Sequence, residues 1–332
     1  MKQIKVAQIG MGSRGLSLLE AVILPQEGVE VAAVCDTYAD RTQQAAEKVE
    51  AFCGKRPLAT QDYRDILKCS DIDAVLITSA WESHIPIAIE AMRAGKYVGM
   101  EVGGAYNLKE CWNLVETSEQ TGIPCMLLEN CCYGKEELMV LNMVRQGVLG
   151  DVVHCEGGYR HDLRDEIAQG EKNRHYRLRN YLNRNCENYP THELGPIAKV
   201  LDINRGNRMV SLVSVASKAS GLREYIKMEK DTDKRLLDKQ FAQGDVVTTI
   251  IRCARGETIT LTLDTTLPRP YSRGFMVQGT LGMYMEDNRS VFLDKTDRDK
   301  HFSWQKQWGN ADTYYQTYRH PIWERYEQEG IK

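Results

Sequence analysis

Lys5-Val6-Ala7-Gln8-Ile9-Gly10-Met11-Gly12-Ser13-Arg14-Gly15 decides the first half of the fold. Lys5 to Ile9 is a short β-rich run that stops on glycine. An apolar helical pattern follows through Leu16, Leu18, Leu19 and Val22. The three glycines have separate tasks in a strand–turn–helix of this kind. Gly10 makes the tight turn, Gly12 lets a pyrophosphate approach the backbone, and Gly15 lets helix and strand pack closely. A pyrophosphate then sits at the helix N-terminus, among free N–H groups and the positive end of the dipole. Met11, Ser13 and Arg14 belong to the same turn and count as cofactor-binding candidates. A second strand, Glu30 to Cys35, ends in Asp36, 21 residues after Gly15. A carboxylate there grips a ribose 2′-OH and repels a 2′-phosphate, so the expected cofactor is NAD rather than NADP. The competing reading is a glycine-rich turn with an unrelated surface aspartate.

Further βα units follow. Ala74 to Thr78 reads as a buried strand, Ser79 to Pro86 as a loop, and the next helix runs through Ala88, Ala91 and Met92 to a stop at Gly95. Tyr97 to Glu101 and Cys125 to Leu128 read as further strands. Strands alternating with helices imply an α/β fold with a doubly wound parallel sheet. Ligands of such sheets bind beyond the strand C-termini. Trp81, His84, Glu101 and Asn130 fall at such ends and are candidates for cofactor contact, with structural loop residues as the alternative. We place a Rossmann domain over residues 1–130 and a second domain over 131–332.

The chain has 332 residues, 42% of them hydrophobic and 27% charged, with a net charge of −3. That length can bury a sizeable core. The charge argues against a nucleic-acid partner. No apolar run has membrane-spanning length, and a strand begins where a signal peptide would lie. A cytoplasmic protein with neither membrane nor nucleic acid as partner is expected. Ten cysteines are scattered without a CxxC pair, so no metal is expected. The adjacent Cys131 and Cys132 read as packing residues.

In the second half, Glu136 to Gln146 has the pattern of an amphipathic helix and Val152 to Tyr159 that of a strand. Residues 163–188 are polar and arginine-rich without apolar periodicity, which predicts a lid or substrate loop, or else a solvated face. Asn188-Tyr189-Pro190-Thr191-His192 opens a helix whose stripe is Leu194, Ile197 and Leu201. Strands over 246–253, 258–265 and 275–279, after another beginning at Met209, suggest an open mixed or antiparallel sheet. Pro268 to Arg273 interrupts them as a loop. Trp304, Trp308, Tyr314, Tyr315 and Trp323 read as closure packing rather than a sugar platform.

The run DAVLITSAWESHIPIAIEAMRAGKYVGMEV, after the glycine motif, resembles the glucose-fructose oxidoreductase/inositol dehydrogenase (Gfo/Idh/MocA) superfamily. That resemblance implies a Rossmann domain followed by an α/β domain whose open sheet mediates homo-oligomerisation. Most members carry Glu-Lys-Pro where this chain reads Glu101-Val102-Gly103, so the lysine is missing. ELMVLNMVRQGVLGDVVHCEGGYRHDLR (137–164), YRLRNYL (176–182), NYPTHELGPIAKVLDINRGNR (188–208) and TLPRPYSRG (266–274) resemble glycoside hydrolase family 109, the NAD-dependent α-N-acetylgalactosaminidase branch. Glu193 stands where that family has glycine, and Gly158 where it has alanine. Family members also continue into a further C-terminal segment beyond the position of Lys332.

The resemblance implies a route without net redox. C3 of the sugar loses hydride to NAD, the C2 proton is thereby acidified, the C1 substituent leaves by elimination, water adds, and the hydride returns. This differs from the usual pair of carboxylates. His192 would handle the C3 hydroxyl proton, and Tyr159 would be the acid or base at C2 or C1. Arg177, Tyr189 and Tyr271 would grip the sugar, and His161 would orient Tyr159. The substrate is then a small sugar or glycoside. Two alternatives stay open: an NAD-dependent sugar or polyol oxidoreductase with net hydride transfer, and a non-catalytic NAD-bound sensor.

Overall fold

The computed structural model describes residues 3–300 and 308–330, so Trp304 lies outside the described residues. The chain divides into two compact units, Met1–Leu128 and Glu129–Lys332.

The first unit is a doubly wound sheet. Its strands are β1 (Ile4–Ile9), β2 (Val29–Cys35), β3 (Leu58–Thr60), β4 (Ala74–Ile77), β5 (Tyr97–Met100) and β6 (Cys125–Leu127), in the order β3-β2-β1-β4-β5-β6. Every pair is parallel. Both faces are covered by helices, so the consecutive residues Val6, Ala7, Gln8 and Ile9 of β1 are all buried. The helices are α1 (Ser13–Leu18), α2 (Ala39–Cys53), α3 (Tyr63–Leu67), α4 (Trp81–Arg93) and α5 (Leu108–Thr121). Helices α2 and α5 stop on Gly54 and Gly122 in the left-handed region, where glycine has no steric penalty. The strand order reverses between β1 and β4, so α1 and α4 leave the crevice in opposite directions.

One expectation fails here. Ser79 to Pro86 is not a loop, because α4 already begins at Trp81. Trp81, His84, Ile85, Ala88 and Met92 form one buried stripe at helical spacing, and Pro86 interrupts the backbone ladder only near its start.

The second unit contains β7 (Val152–Arg160), β8 (Met209–Ala216), β9 (Val246–Cys253), β10 (Thr258–Asp264), β11 (Met276–Gly279), β12 (Gly282–Met285) and β13 (Ser290–Leu293). They form a mixed sheet in the order β13-β12-β11-β7-β10-β9-β8. Strands β7 and β10 run parallel, with Thr258 opposite His154 and Asp264 opposite Arg160. The other neighbours are antiparallel. Helices α6 (Lys135–Arg145) and α9 (Thr191–Val200) supply Leu138, Met139, Met143 and Ile197 to a core shared with Ile259, Leu261, Phe275 and Tyr284. The hairpin strands β12 and β13 are too short to show a period in the sequence. Tyr314, Tyr315 and Trp323 pack against this core from two C-terminal helices, whereas Trp308 is exposed.

Residues 163–188 carry secondary structure that their composition did not predict, and they are not a solvated face. They form α7 (Arg164–Ala168), a 3₁₀ turn (Gly170–Asn173) and α8 (Arg177–Asn183). Ile167, Ala168, Arg177, Leu178, Asn180 and Tyr181 are buried. The charged composition hid this, because Arg177 is itself an interior residue.

Candidate functional site

In the first unit the functional elements are mostly backbone. Gly10 has φ +102°, and a Cβ on it would lie 2.4 Å from the Ser79 nitrogen. A Cβ on Gly15 would lie 2.0 Å from the Gly10 oxygen. The first fixes the turn and the second fixes helix against strand. Gly12 differs: its Cβ would meet nothing nearer than the Arg41 guanidinium at 3.8 Å. That is the open approach a pyrophosphate needs. The buried Asp36 accepts hydrogen bonds from the Met11 N–H at 2.6 Å and the Tyr38 N–H at 2.9 Å. A carboxylate has about four acceptor sites, so these two bonds orient Asp36 and leave capacity for ribose hydroxyls. The Met11 side chain is buried, so its contribution is its N–H. Ser13 and Arg14 are exposed at the start of α1. Arg14 donates to the Glu101 Oε1 at 2.9 Å, and the Val102 N–H donates to the Glu101 Oε2 at 2.8 Å. The residues present therefore fit a dinucleotide.

Trp81 and His84 are both buried on α4, at 2% and 1% exposure. The Trp81 ring lies so close to Gly103 that a Cβ there would be 2.1 Å from its Cδ1. His84 Nε2 is 2.9 Å from the Ser79 oxygen, and burial lowers the ring's pKa, which keeps it neutral. Asn130 belongs to the second unit, at the start of the 3₁₀ turn Asn130–Tyr133.

The second unit brings six of the predicted side chains together. Tyr159 is the penultimate residue of β7, His161 follows the strand, Arg177 opens α8, Tyr189 precedes α9, His192 lies in its first turn, and Tyr271 sits in the loop after β10. That loop is tied down by paired backbone bonds between Arg160 and Ser272. The Tyr159 ring centroid is 4.3 Å from that of Tyr189, 5.6 Å from His192 and 6.4 Å from Tyr271. Tyr271 lies edge-on to His161 at 5.0 Å. The Arg177 guanidinium is 5.2 Å from the Tyr189 ring and 5.9 Å from the Tyr159 ring.

The polar partners set each group's protonation. The Tyr159 hydroxyl and His161 Nδ1 are 2.9 Å apart. Burial lowers the His161 pKa, and Arg177 lowers it further, so the ring is neutral and its Nδ1 can accept a hydrogen bond from the tyrosine hydroxyl without taking its proton. Burial raises the Tyr159 pKa while Arg177 opposes the rise. Arg177 is anchored by Glu166, 2.8 Å from its Nε.

Sequence reasoning missed Glu129. Its Oε1 is 2.7 Å from His192 Nδ1 and accepts the Cys131 N–H at 3.0 Å. Burial alone would raise its pKa; the bond and charge of His192, with the Cys131 amide, hold it below the ordinary value. An anionic Glu129 accepts from Nδ1–H, which leaves Nε2 as the proton-accepting nitrogen of His192. Glu129 carries no local signature beyond its place just after a strand.

Glu129, Cys131 and His192 also hold oxygen, sulfur and nitrogen atoms within 4.8 Å of one another. The Glu129–His192 bond already engages two of these donors, and burial pushes the Cys131 thiol up to about 12. The group reads better as an oriented acid–base pair than as a metal centre. All ten cysteines are free, with Cys131 and Cys132 buried.

Residues 4–128 match the oxidoreductase family with an NAD-binding Rossmann fold, and residues 133–332 match the C-terminal domain of glycosyl hydrolase 109. The chain belongs to glycosyl hydrolase family 109. A family 109 protein of Shewanella sp. (strain ANA-3) is 38% identical over 99% of this chain and 72% of its own length. Another, from Shewanella sp. (strain W3-18-1), is 39% identical with the same coverage. The fold is also that of scyllo-inositol dehydrogenase from Lactobacillus casei with bound NAD(H) and scyllo-inositol, at TM-score 0.67 and 16% identity, over 86% of this chain and 76% of that one. An NAD-binding oxidoreductase from Klebsiella pneumoniae aligns at TM-score 0.69 and 18% identity, over 90% and 77%. This family 109 chain is an NAD-dependent enzyme of the glycosidase or sugar-oxidoreductase kind. Among the described residues, no helix is long and apolar enough to cross a membrane.

Proposed function

We propose that this family 109 enzyme cleaves a small glycoside, with an α-N-acetylgalactosaminide as the first candidate, by oxidation, elimination, hydration and re-reduction. The observation that supports this best is the presence of two acid–base groups side by side, each with its own charge-setting partner. Tyr159 faces His192 at 5.6 Å between ring centroids, with Arg177 and His161 serving the first and Glu129 the second. Removing a hydroxyl proton from one carbon and a C–H proton from the next needs two such groups. A simple alcohol oxidation needs one.

Bound NAD supplies a hydride acceptor for the C3 carbinol and a hydride donor at the end of the cycle. His192 takes and returns the C3 hydroxyl proton through Nε2, while Glu129 stabilises the imidazolium. Tyr159 works at the C2 and C1 end. Burial holds its pKa above the ordinary value, Arg177 offsets part of that rise by stabilising the phenolate, and His161 Nδ1, 2.9 Å from the hydroxyl, orients it. Arg177, Tyr189 and Tyr271 supply ring faces and donors for the sugar. Gly10 to Gly15, Asp36 and Glu101 hold the dinucleotide, and buried Trp81 and His84 support the start of α4 beside it.

The oxidoreductase alternative is less well supported, because Val102 replaces the lysine and is buried. The exposed Val210, Leu212, Val213 and Val215 of β8 support a homo-oligomer formed through this sheet. The free cysteines support a cytoplasmic location.

The test is incubation of the purified protein, without added cofactor, with p-nitrophenyl glycosides in D₂O. Aglycone release with deuterium at C2 of the freed sugar is expected. No release across the panel, with NADH accumulating from free sugars and NAD⁺, would replace this reading with a net oxidoreductase.

A further inference from the structure

Glu193 is an anomalous buried group among the described residues of the second unit. It follows His192 on α9 and is 1% exposed. Neither carboxyl oxygen has a hydrogen-bond partner. Its Cβ and Cγ press on β7, the strand that carries Tyr159: a Cβ on Gly157 would lie 2.5 Å from the Glu193 Cβ and 2.9 Å from its Cγ. Real Cβ atoms do not approach so closely, so with a side chain at 193 only glycine fits at 157. Their contact is where the helix carrying His192 meets the strand carrying Tyr159.

We propose that Gly157 and Glu193 form a matched seat that sets the distance between Tyr159 and His192, making Glu193 a positioning residue. A smaller residue at 193 lets helix and strand close up, and a larger one at 157 forces them apart. Either change moves one acid–base group relative to the other. This rests on the roles given above to Tyr159 and His192.

Glu193 does this as a neutral acid. The groups facing it are Arg273 from the loop before β11, Glu137 from α6, Glu286 after β12, and Glu129 and Cys131 from the turn before α6. The guanidinium of Arg273 is already bonded to Glu137 and, at 2.9 Å, to Glu286. It reaches Glu193 Oε1 only at 3.8 Å, beyond hydrogen-bonding range. One cation among three carboxyls, with the third lacking any hydrogen bond, leaves that third group protonated. Burial raises its pKa in the same direction, opposed by Arg273.

The test combines kcat/KM with NMR titration of the His192 ring in the full-length protein. G157A is expected to lower kcat/KM by about 10²-fold, the scale of an ångström-level misplacement. The double variant G157A/E193G is expected to recover most of that loss, because the clashing Cβ is gone. A double variant as impaired as G157A alone overturns the seat. Should G157A not fold, E193G and E193Q decide through the His192 ring signals. E193G is expected to displace them, and E193Q to leave both the signals and the titration curve at their wild-type positions. A wild-type spectrum in E193G overturns the seat. A His192 midpoint that falls in E193Q shows that a negative charge was removed and overturns the neutral acid. If the wild type turns over no sugar, the functional reading fails, while the ring signals still test the seat.

Discussion

The two units carry function in opposite ways. In the first, the decisive atoms are backbone: a glycine with positive φ, an open glycine at a helix start, and two N–H groups that hold Asp36. In the second, side chains from separate segments converge, and no short stretch holds more than a few of them. Most of a backbone site is written in one short stretch, here Gly10 to Gly15, with Asp36 one strand later. A side-chain site exists only after the chain has folded.

The largest effect that sharpens this contrast belongs to the second unit. His192→Ala and Tyr159→Phe should each lower kcat/KM by about 10² to 10⁴-fold, the usual contribution of a positioned acid or base. NAD affinity, measured by fluorescence titration, should stay within error. Loss of NAD binding in either variant would break the division.

Next come paired changes within the glycine turn. Gly15→Ala places a Cβ 2.0 Å from the Gly10 oxygen, so the first unit should lose several kcal/mol. Gly12→Ala fills only open space, so it should weaken NAD binding with little change in Tm. Equal Tm losses would show that the glycines do one task rather than two.

A smaller effect concerns pH. Burial lifts the Glu187 carboxyl, just before Tyr189, from 4.5 to about 7. The folded protein holds this proton more tightly than the unfolded chain. The stability this provides is therefore complete below about pH 4.5 and is lost as pH rises through about 7. The loss amounts to about 3 kcal/mol. Glu187→Gln should flatten that fall in urea melts between pH 5 and 8; a parallel pair of curves would show that Glu187 ionises freely. The smallest effect on chemistry is expected from Leu212→Glu on the exposed face of β8. It should lower the mass seen by light scattering and leave the first unit's NAD affinity unchanged.

Much of this was legible before the structure, but unevenly. The Rossmann sheet followed from the glycine turn and from apolar strands covered on both faces. Tyr159, Arg177, Tyr189, His192 and Tyr271 were legible only through family resemblance, since nothing local marks a tyrosine at a strand end. Glu129 stayed hidden because its partner is far away in the chain. The helices within residues 163–188 were not foreseen because hydropathy scores Arg177 as a surface residue, whereas Glu166 lets it lie inside. The start of α4 was misplaced because Pro86 reads as a breaker, although a proline that early costs a single backbone bond.

The parallel pairing of β7 with β10 bears on how the protein reaches this state. His154 and Thr258 bond across 104 residues, and a loop of that length must close before the central pair of the sheet exists. Tyr159 stands at the end of one of these strands and Tyr271 beyond the end of the other. The aromatic cluster therefore cannot form from local contacts and should be among the last features to appear during refolding. A chain diluted from denaturant should regain its NAD affinity before its catalytic rate, and the lag between them would measure how slowly that loop closes.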